Sequence, residues 1–236
     1  MSDLSFEKAI DPSQYDKIEW GSKEGKPSPI RNFFIEILRK ELGGHQYNSV
    51  LDIGSGIGHM FDLYKKLGFK RIVGVEPSQR NIDISKSLHS DIQVVKASFQ
   101  DFKSDEKFNV ATAIMVVLHL PELNSVIQKV YSLLEESGLF LIIDADVDYE
   151  TKPKWGWSIE IEKQQDGNYL VSSERKYGKI TSIVRPVEHF IKAAKKDSFK
   201  IVKQEPLFAS DELIKEAPYY TEIRNLPLAQ LFVFQK

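Results

Sequence analysis

Val50-Leu51-Asp52-Ile53-Gly54-Ser55-Gly56-Ile57-Gly58-His59-Met60 decides how the rest of the chain is read. A short apolar run leads into glycines at every second position, and a helix-like pattern follows. That order reads as strand, tight loop, helix, with the loop at the carboxyl end of the strand, where open α/β sheets bind ligands. Glycine tolerates positive φ and lets a ligand come close to the backbone. The spacing is G-x-G-x-G. His59 stands where the dinucleotide fingerprint G-x-G-x-x-G needs its last glycine, so that fingerprint is not met.

Working outward, strand and helix patterns alternate. Upstream, Ile30, Phe33, Phe34, Ile37, Leu38 and Leu42 recur at helical spacing and end at Gly43-Gly44. Downstream, Met60 to Leu67 predicts a helix, Arg71 to Glu76 a second strand, and Pro77-Ser78 the start of a helix through Leu88. Asp91 to Ser98 and Phe108 to Leu118 predict the third and fourth strands. Pro121 opens a helix ended by Gly138, and Leu139 to Ile143 is a fifth strand. The strands are continuous apolar runs rather than alternating ones, as in a parallel sheet covered on both faces. The expected fold is α/β, doubly wound, with a mostly parallel seven-stranded sheet.

The pattern changes after residue 146. Trp157 to Gln164 and Tyr169 to Lys176 alternate around the turn signal Asp166-Gly167-Asn168, and Lys179 to Arg185 is again extended. Residues 147–186 are therefore expected to form an antiparallel insertion over the ligand end of the sheet. A helix near Val187 to Lys195 and two closing strands, Phe199 to Lys203 and Gln230 to Gln235, complete a single domain spanning 1–236. Within it, residues 1–29 read as an N-terminal cover, with Tyr15 and Trp20 folding over the ligand as a lid, and 30–146 as the cofactor-binding core. Residues 187–236 are the closing helix and strands.

Composition narrows the function classes. At 236 residues the chain buries a large core without staples. It has no cysteine, which removes disulfides, thiolate metal sites and cysteine nucleophiles together. A formal net charge of −2 gives no overall attraction to polyanions, so nucleic acid is a disfavoured partner. No apolar leader core lies in Met1 to Gln14, and no apolar run approaches the ~18 residues of a membrane span, so a cytoplasmic chain is expected.

The chemistry-bearing residues sit at strand ends. Glu76 ends the second strand, which in doubly wound folds places a carboxylate beside the first loop, suited to a ribose diol and repulsive to a 2′-phosphate. His119, just past the fourth strand, is the candidate general base, with Asp144 and Asp146 past the fifth as rivals. Asp144-x-Asp146-x-Asp148 lacks the glycine and distal glutamate of a calcium loop, so no metal site is expected. His45 and His89 read as surface residues. Tyr149, Trp155, Trp157, Tyr169 and Tyr177, with Tyr219 and Tyr220, suit the mouth of a site for a flat or apolar metabolite, or the insertion's own packing.

Five blocks in register resemble the class I S-adenosylmethionine-dependent methyltransferases, across their cofactor half from Val50 to Asp144. They are the glycine loop, Glu76, Ala97-Ser98-Phe99-Gln100-Asp101-Phe102, Ala113 to Pro121, and Leu133 to Leu139. The resemblance implies the Rossmann-like fold of that family and S-adenosylmethionine as cofactor. It implies that Asp52, Gly54, Ser55 and Gly56 line the methionine end, that Glu76 holds the ribose, and that Pro77 lies under the adenine. Ser98 and Phe99 would border the adenine, Phe99 through its N–H, with Ile114 and Met115 near the sulfonium. Ser98 departs from the family, which commonly has an acid there. Without a cysteine, methylation of pyrimidine carbon-5 through a covalent adduct is excluded. The Asn/Asp-Pro-Pro-aromatic signature of amino-methylating DNA enzymes is absent after the fourth strand, and no paired-glutamate hairpin of arginine methyltransferases is seen. The implied activity is methyl transfer to an oxygen or nitrogen of a small molecule. Structured RNA, a protein acceptor, or non-catalytic cofactor binding are the alternatives; the oligomeric state is not legible.

Overall fold

The apolar runs become buried strands, and their residues divide between two cores. The computed structural model describes residues 4–15, 27–175 and 178–236; Trp20, Tyr177 and the Tyr15 side chain lie outside the described residues. Helices α1 (Phe6–Ile10) and α2 (Pro29–Leu42) precede β1 (Ser49–Ile53). Then come α3 (Phe61–Lys66), β2 (Arg71–Glu76), α4 (Gln79–Leu88), β3 (Gln93–Lys96), β4 (Phe108–Ile114), α5 (Leu123–Leu133) and β5 (Leu134–Ala145). Next are α6 (Val147–Thr151), β6 (Ser158–Lys163), β7 (Tyr169–Arg175) and β8 (Gly178–Val184). The chain closes with α7 (Val187–Lys196), β9 (Lys200–Leu207), α8 (Asp211–Glu216) and β10 (Ala229–Gln235).

The main sheet has seven strands in the order β3-β2-β1-β4-β5-β10-β9. β1 to β5 pair in parallel, and β10 runs antiparallel to both β5 and β9. Successive side chains on a strand point to opposite faces. Phe140 and Ile142 of β5 and Phe232 and Phe234 of β10 accordingly enter one core with α5 and α7. Leu141, Ile143, Leu231 and Val233 enter the other, with α2 and α3. Both faces being covered is why these strands read as unbroken apolar runs. The order reverses direction between β1 and β4, so the ligand-binding switch point lies at their carboxyl ends.

The expected doubly wound fold is present, with local differences. β4 stops at Ile114 rather than Leu118, because Met115 takes a left-handed φ of 56° and Val117–His119 coil into a 3-10 turn. Gly138 does not end α5. That helix ends at Leu133, and residues 135–138 form an irregularity within β5, between the pairs Phe108–Leu134 and Val110–Leu139. α6 lies inside the stretch expected to be wholly antiparallel, and α8 has no counterpart in the sequence reading.

β6, β7 and β8 form a separate antiparallel sheet, and its two faces explain its place. Val171 and Val184 pack with Leu118 and Ala145, seating the small sheet on the carboxyl ends of β4 and β5. Leu170 and Ile183, on the opposite face, pack with Ala9 of α1. The described part of the N-terminal cover thus lies on the small sheet. A third cluster joins Tyr149, Leu213, Tyr220 and Ile223 to Ile30 and Phe33 at the start of α2.

Candidate active site

The glycine loop is a tight corner whose three glycines have different reasons to be glycine. Gly54 and Ser55 both donate backbone N–H groups to Val75 O, at 2.8 and 3.1 Å, which folds the loop back onto β2. A Cβ on Gly54 would lie 2.4 Å from a methyl of Val116, so the end of β4 requires the gap. A Cβ on Gly58 would strike the Phe61 ring. Gly56, at φ 55°, has no heavy atom within 4 Å of its would-be Cβ, so the corner opens to a ligand there.

Glu76, 6% exposed, reaches this opening from the tip of β2. Its Oε2 accepts the Gly56 N–H at 3.0 Å, while Oε1 accepts the Ser78 N–H at 3.0 Å and the Asn81 amide at 3.1 Å. The carboxylate therefore shapes the corner as well as facing it. Pro77 follows half-buried, and Ser78 caps α4. Ser55 belongs to the turn itself: its carbonyl accepts the Gly58 N–H, and its hydroxyl packs over Gly74, where a Cβ would sit 2.6 Å from the oxygen.

Asp52 is buried beneath the corner. Its Oδ1 accepts the Thr112 hydroxyl at 2.9 Å, and the Tyr64 hydroxyl lies 2.8 Å from the same Thr112 oxygen. Its Oδ2 is buried without a partner. Burial pushes the carboxyl up to about 7, against the pull of those hydroxyls and the Arg31 guanidinium. An orphaned buried carboxylate oxygen beside an open backbone corner fits a cationic amino group, which would complete its hydrogen bonding. Arg31 also acts on His59, which burial first and that charge second pull down to about 4. The sequence reading passed over Arg31, because the apolar spacing of α2 drew attention to its packed face. A cation in the first turn of the helix leading to the glycine strand was the available signal.

On the adenine side of the expected site, the Phe99 ring is buried in the core. Ser98 donates its hydroxyl to Asp101 Oδ2 at 2.7 Å and accepts the Asp101 N–H at 3.2 Å. The acid missing at position 98 is thus held on the Ser98 hydroxyl from three residues later. Ile114 is buried, while Met115 is half-exposed in its strained conformation and still donates its N–H to Ile143 O at 2.7 Å. Uncommon backbone angles of this kind persist where surrounding structure over-determines them.

His119 sits in the 3-10 turn after β4, its Nδ1 3.1 Å from Ala9 O. Arg185, 4% exposed, donates to the carbonyls of Val117, Leu120 and Pro121 at 2.7, 2.6 and 2.9 Å. Asp144 Oδ1 accepts the Leu118 N–H at 3.3 Å; burial raises this carboxyl to about 7, and the Arg185 charge opposes the rise. Asp146 is committed elsewhere: it caps α6 and accepts the Gln230 amide at 2.6 Å. His45 is exposed as expected. His89 is not a surface residue: its ring stands edge-on to Phe61 with its side chain 11% exposed, and burial lowers its pKa. Among the described residues no group of three or more metal-ligating side chains is assembled, and no helix is long and apolar enough to cross a membrane.

The expected aromatic mouth is largely self-packed. Trp155 meets Trp157, Tyr219 and Tyr220 edge-on at 4.9 to 5.3 Å, and Tyr149 at 6.3 Å. Tyr169 packs with the small sheet's inner face.

The chain is also similar to known proteins. A family model described as a methyltransferase domain matches residues 10–202. A ubiquinone biosynthesis O-methyltransferase of Bradyrhizobium diazoefficiens is 31% identical over 106 residues, covering 43% of this chain and 40% of that protein. Another, of Bartonella tribocorum, is 25% identical over 175 residues, covering 64% and 69%. The chain thus spans two fifths to about two thirds of the length of these relatives. Among solved structures, an S-adenosylmethionine-dependent methyltransferase of Mesorhizobium loti superposes with a TM-score of 0.68 at 16% identity, covering 91% of this chain and 100% of that one. At that identity the likeness is one of fold.

Proposed function

The chain belongs to the methyltransferase-domain family, and from that premise we propose that it is an S-adenosylmethionine-dependent methyltransferase acting on an oxygen or nitrogen of a small metabolite. The observation that carries the reading is the corner itself: Gly56 opens to space while Glu76 is bonded to its N–H. A carboxylate oxygen takes two hydrogen bonds, so a ribose diol binds Glu76 in exchange for part of the Gly56 and Asn81 set. Asp52 Oδ2 and Arg31 are the groups for the amino acid end, amine and carboxylate respectively. Pro77, the Phe99 N–H and the Ser98–Asp101 pair border the adenine, with Ile114 and Met115 beside the sulfonium.

When bound, S-adenosylmethionine supplies an activated methyl group, so the protein's share is alignment and exclusion of water. The small sheet packs on the carboxyl ends of β4 and β5, and with the cluster around Tyr149, in the helix that follows β5, it serves as a wall for the acceptor. For a hydroxyl acceptor, His119 takes the proton as general base. Oxygen is favoured over nitrogen by this base and by the O-methyltransferase names of the relatives above.

Titration calorimetry with S-adenosylmethionine tests the cofactor site. Glu76→Ala should weaken binding by about 100-fold, the scale of a lost charge-assisted hydrogen bond; unchanged affinity contradicts the site. A labelled-methyl screen against a metabolite extract identifies the acceptor, and demethylated cofactor appearing only with acceptor present separates an enzyme from a binder. His119→Ala should then lower turnover by roughly 100-fold or more while cofactor affinity holds; an unaltered rate removes the base.

A further inference from the structure

The turn that carries His119 is held by groups from distant parts of the chain, and both sets ride on the small sheet. Arg185 follows β8 directly and places one buried guanidinium against the carbonyls of Val117, Leu120 and Pro121. Val117 O also accepts the Leu120 N–H at 3.0 Å within the turn, whereas Leu120 O and Pro121 O lie past its end, where a helical turn leaves carbonyls to outside donors. Below the same turn, Asp144 takes the Leu118 N–H. The other holder is Ala9, whose fully buried side chain docks α1 on Leu170 and Ile183. Gln14 donates its amide to Ala9 O at 3.2 Å and accepts the Thr181 N–H at 3.0 Å, tying that carbonyl to β8.

A carbonyl oxygen only accepts, so an imidazole nitrogen bonded to Ala9 O must carry the hydrogen. Which ring nitrogen is protonated is set by the bond the other one makes. We propose that Arg185 and the Ala9 carbonyl are positioning groups that hold His119 as the Nδ1–H tautomer and present Nε2 as the basic nitrogen. This rests on the reading of His119 as base and deepens it: the insertion is the scaffold of the base. The charges facing Arg185 are Asp144, Asp166 and Glu122, and Asp144 in turn faces Glu150.

Long-range proton–nitrogen spectra of the uniformly ¹⁵N-labelled 236-residue chain read the tautomer directly, with the His119 signals assigned by their loss in His119→Gln. The expected pattern is Nδ1–H with an unprotonated Nε2; the Nε2–H pattern overturns the proposal. Arg185→Lys keeps a charge but loses the guanidinium fork that serves three carbonyls, and should turn the single pattern into a mixture. Should that variant fail to fold, Ala9→Arg decides, because it undocks α1 without entering the main sheet, and it too should yield a mixture. A wild-type pattern in either folded variant overturns the role of the group it disturbs. Calorimetry with S-adenosylhomocysteine separates the two levels. Normal binding with an Nε2–H histidine refutes the positioning alone, whereas no binding to wild-type protein refutes the cofactor reading.

Discussion

The glycine corner after β1 and the turn after β4 lie at the same end of adjacent parallel strands, yet they are fixed from different distances along the chain. The corner is closed by Val75 O and Glu76, one crossover away, through backbone N–H groups. The turn has one bond from a neighbouring strand, Leu118 N–H to Asp144, but its carbonyls and the His119 ring are held by Arg185 and Ala9, which arrive from the insertion and the N-terminal segment. A local device forms with its own βαβ unit. A remote one is complete only after the small sheet and α1 have docked. The chemistry divides along the same line, with cofactor recognition assigned to the local device and the proposed base to the remote one.

The two regions touch at Gly54, and the largest effect is expected there. Its missing Cβ makes room for Val116, which belongs to the turn. Gly54→Ala combines a 2.4 Å clash with a left-handed φ of 65° and should lower unfolding free energy by about 3 kcal/mol. Gly56→Ala meets open space and should cost about 1 kcal/mol from strain alone. Urea unfolding measures both, and adding Val116→Ala to Gly54→Ala should recover part of the loss as a coupling between contacting residues. Equal losses at the two glycines would mean that both serve merely as turn formers and that the regions are independent.

This division also explains what the sequence disclosed. Strand–loop–helix order, the acid at Glu76 and the apolar strands are short-range patterns, and each was legible. The hairpin Asp166-Gly167-Asn168 was equally legible, because turn chemistry is local. His119 could be picked out by its position past a strand, but not the Arg185 clamp. A lone arginine after Ile183-Val184 gives no sign that its partners lie 68 residues upstream, at Val117. The end of β4 was misplaced for a related reason: Val116-Val117-Leu118 has strand-like composition, and the left-handed Met115 is imposed by tertiary context. Asp101 lies in the adenine block, but only the fold shows it bonded to Ser98.

The next effect isolates the local side of the comparison. Burial raises the Asp52 carboxyl from 3.8 to about 7 in the free protein. For a raised acid, the associated stability is complete below the ordinary value and is lost as pH climbs through about 7. A cationic amine beside Oδ2 needs the ionised form, so binding opposes that loss. Affinity for S-adenosylhomocysteine should therefore rise by up to about tenfold per pH unit below the raised value and level off above it. Asp52→Asn should bind more weakly at the alkaline end and lose this slope, while Asp144→Asn, which alters the remote turn, should keep it. Calorimetry across the range measures each slope. A flat wild-type profile would remove Asp52 from amine recognition and leave the corner to Glu76 alone.

The smallest effect concerns the aromatic lobe on the acceptor side. Trp155 has a φ of 52°, donates its indole N–H to Tyr219 O at 3.1 Å and is ringed by four aromatic side chains. If that lobe is packed for its own stability, Trp155→Phe loses one partly exposed hydrogen bond while keeping most ring contact. The expected cost is about 1 kcal/mol in unfolding free energy, with S-adenosylhomocysteine affinity unchanged. Unfolding in urea together with calorimetry reads both quantities. An unchanged stability would assign Trp155 to the acceptor rather than to the lobe. A fall in nucleoside affinity would mean that the lobe reaches through Ile30 and Phe33 to Arg31, and that the cofactor end depends on the packing of the acceptor side.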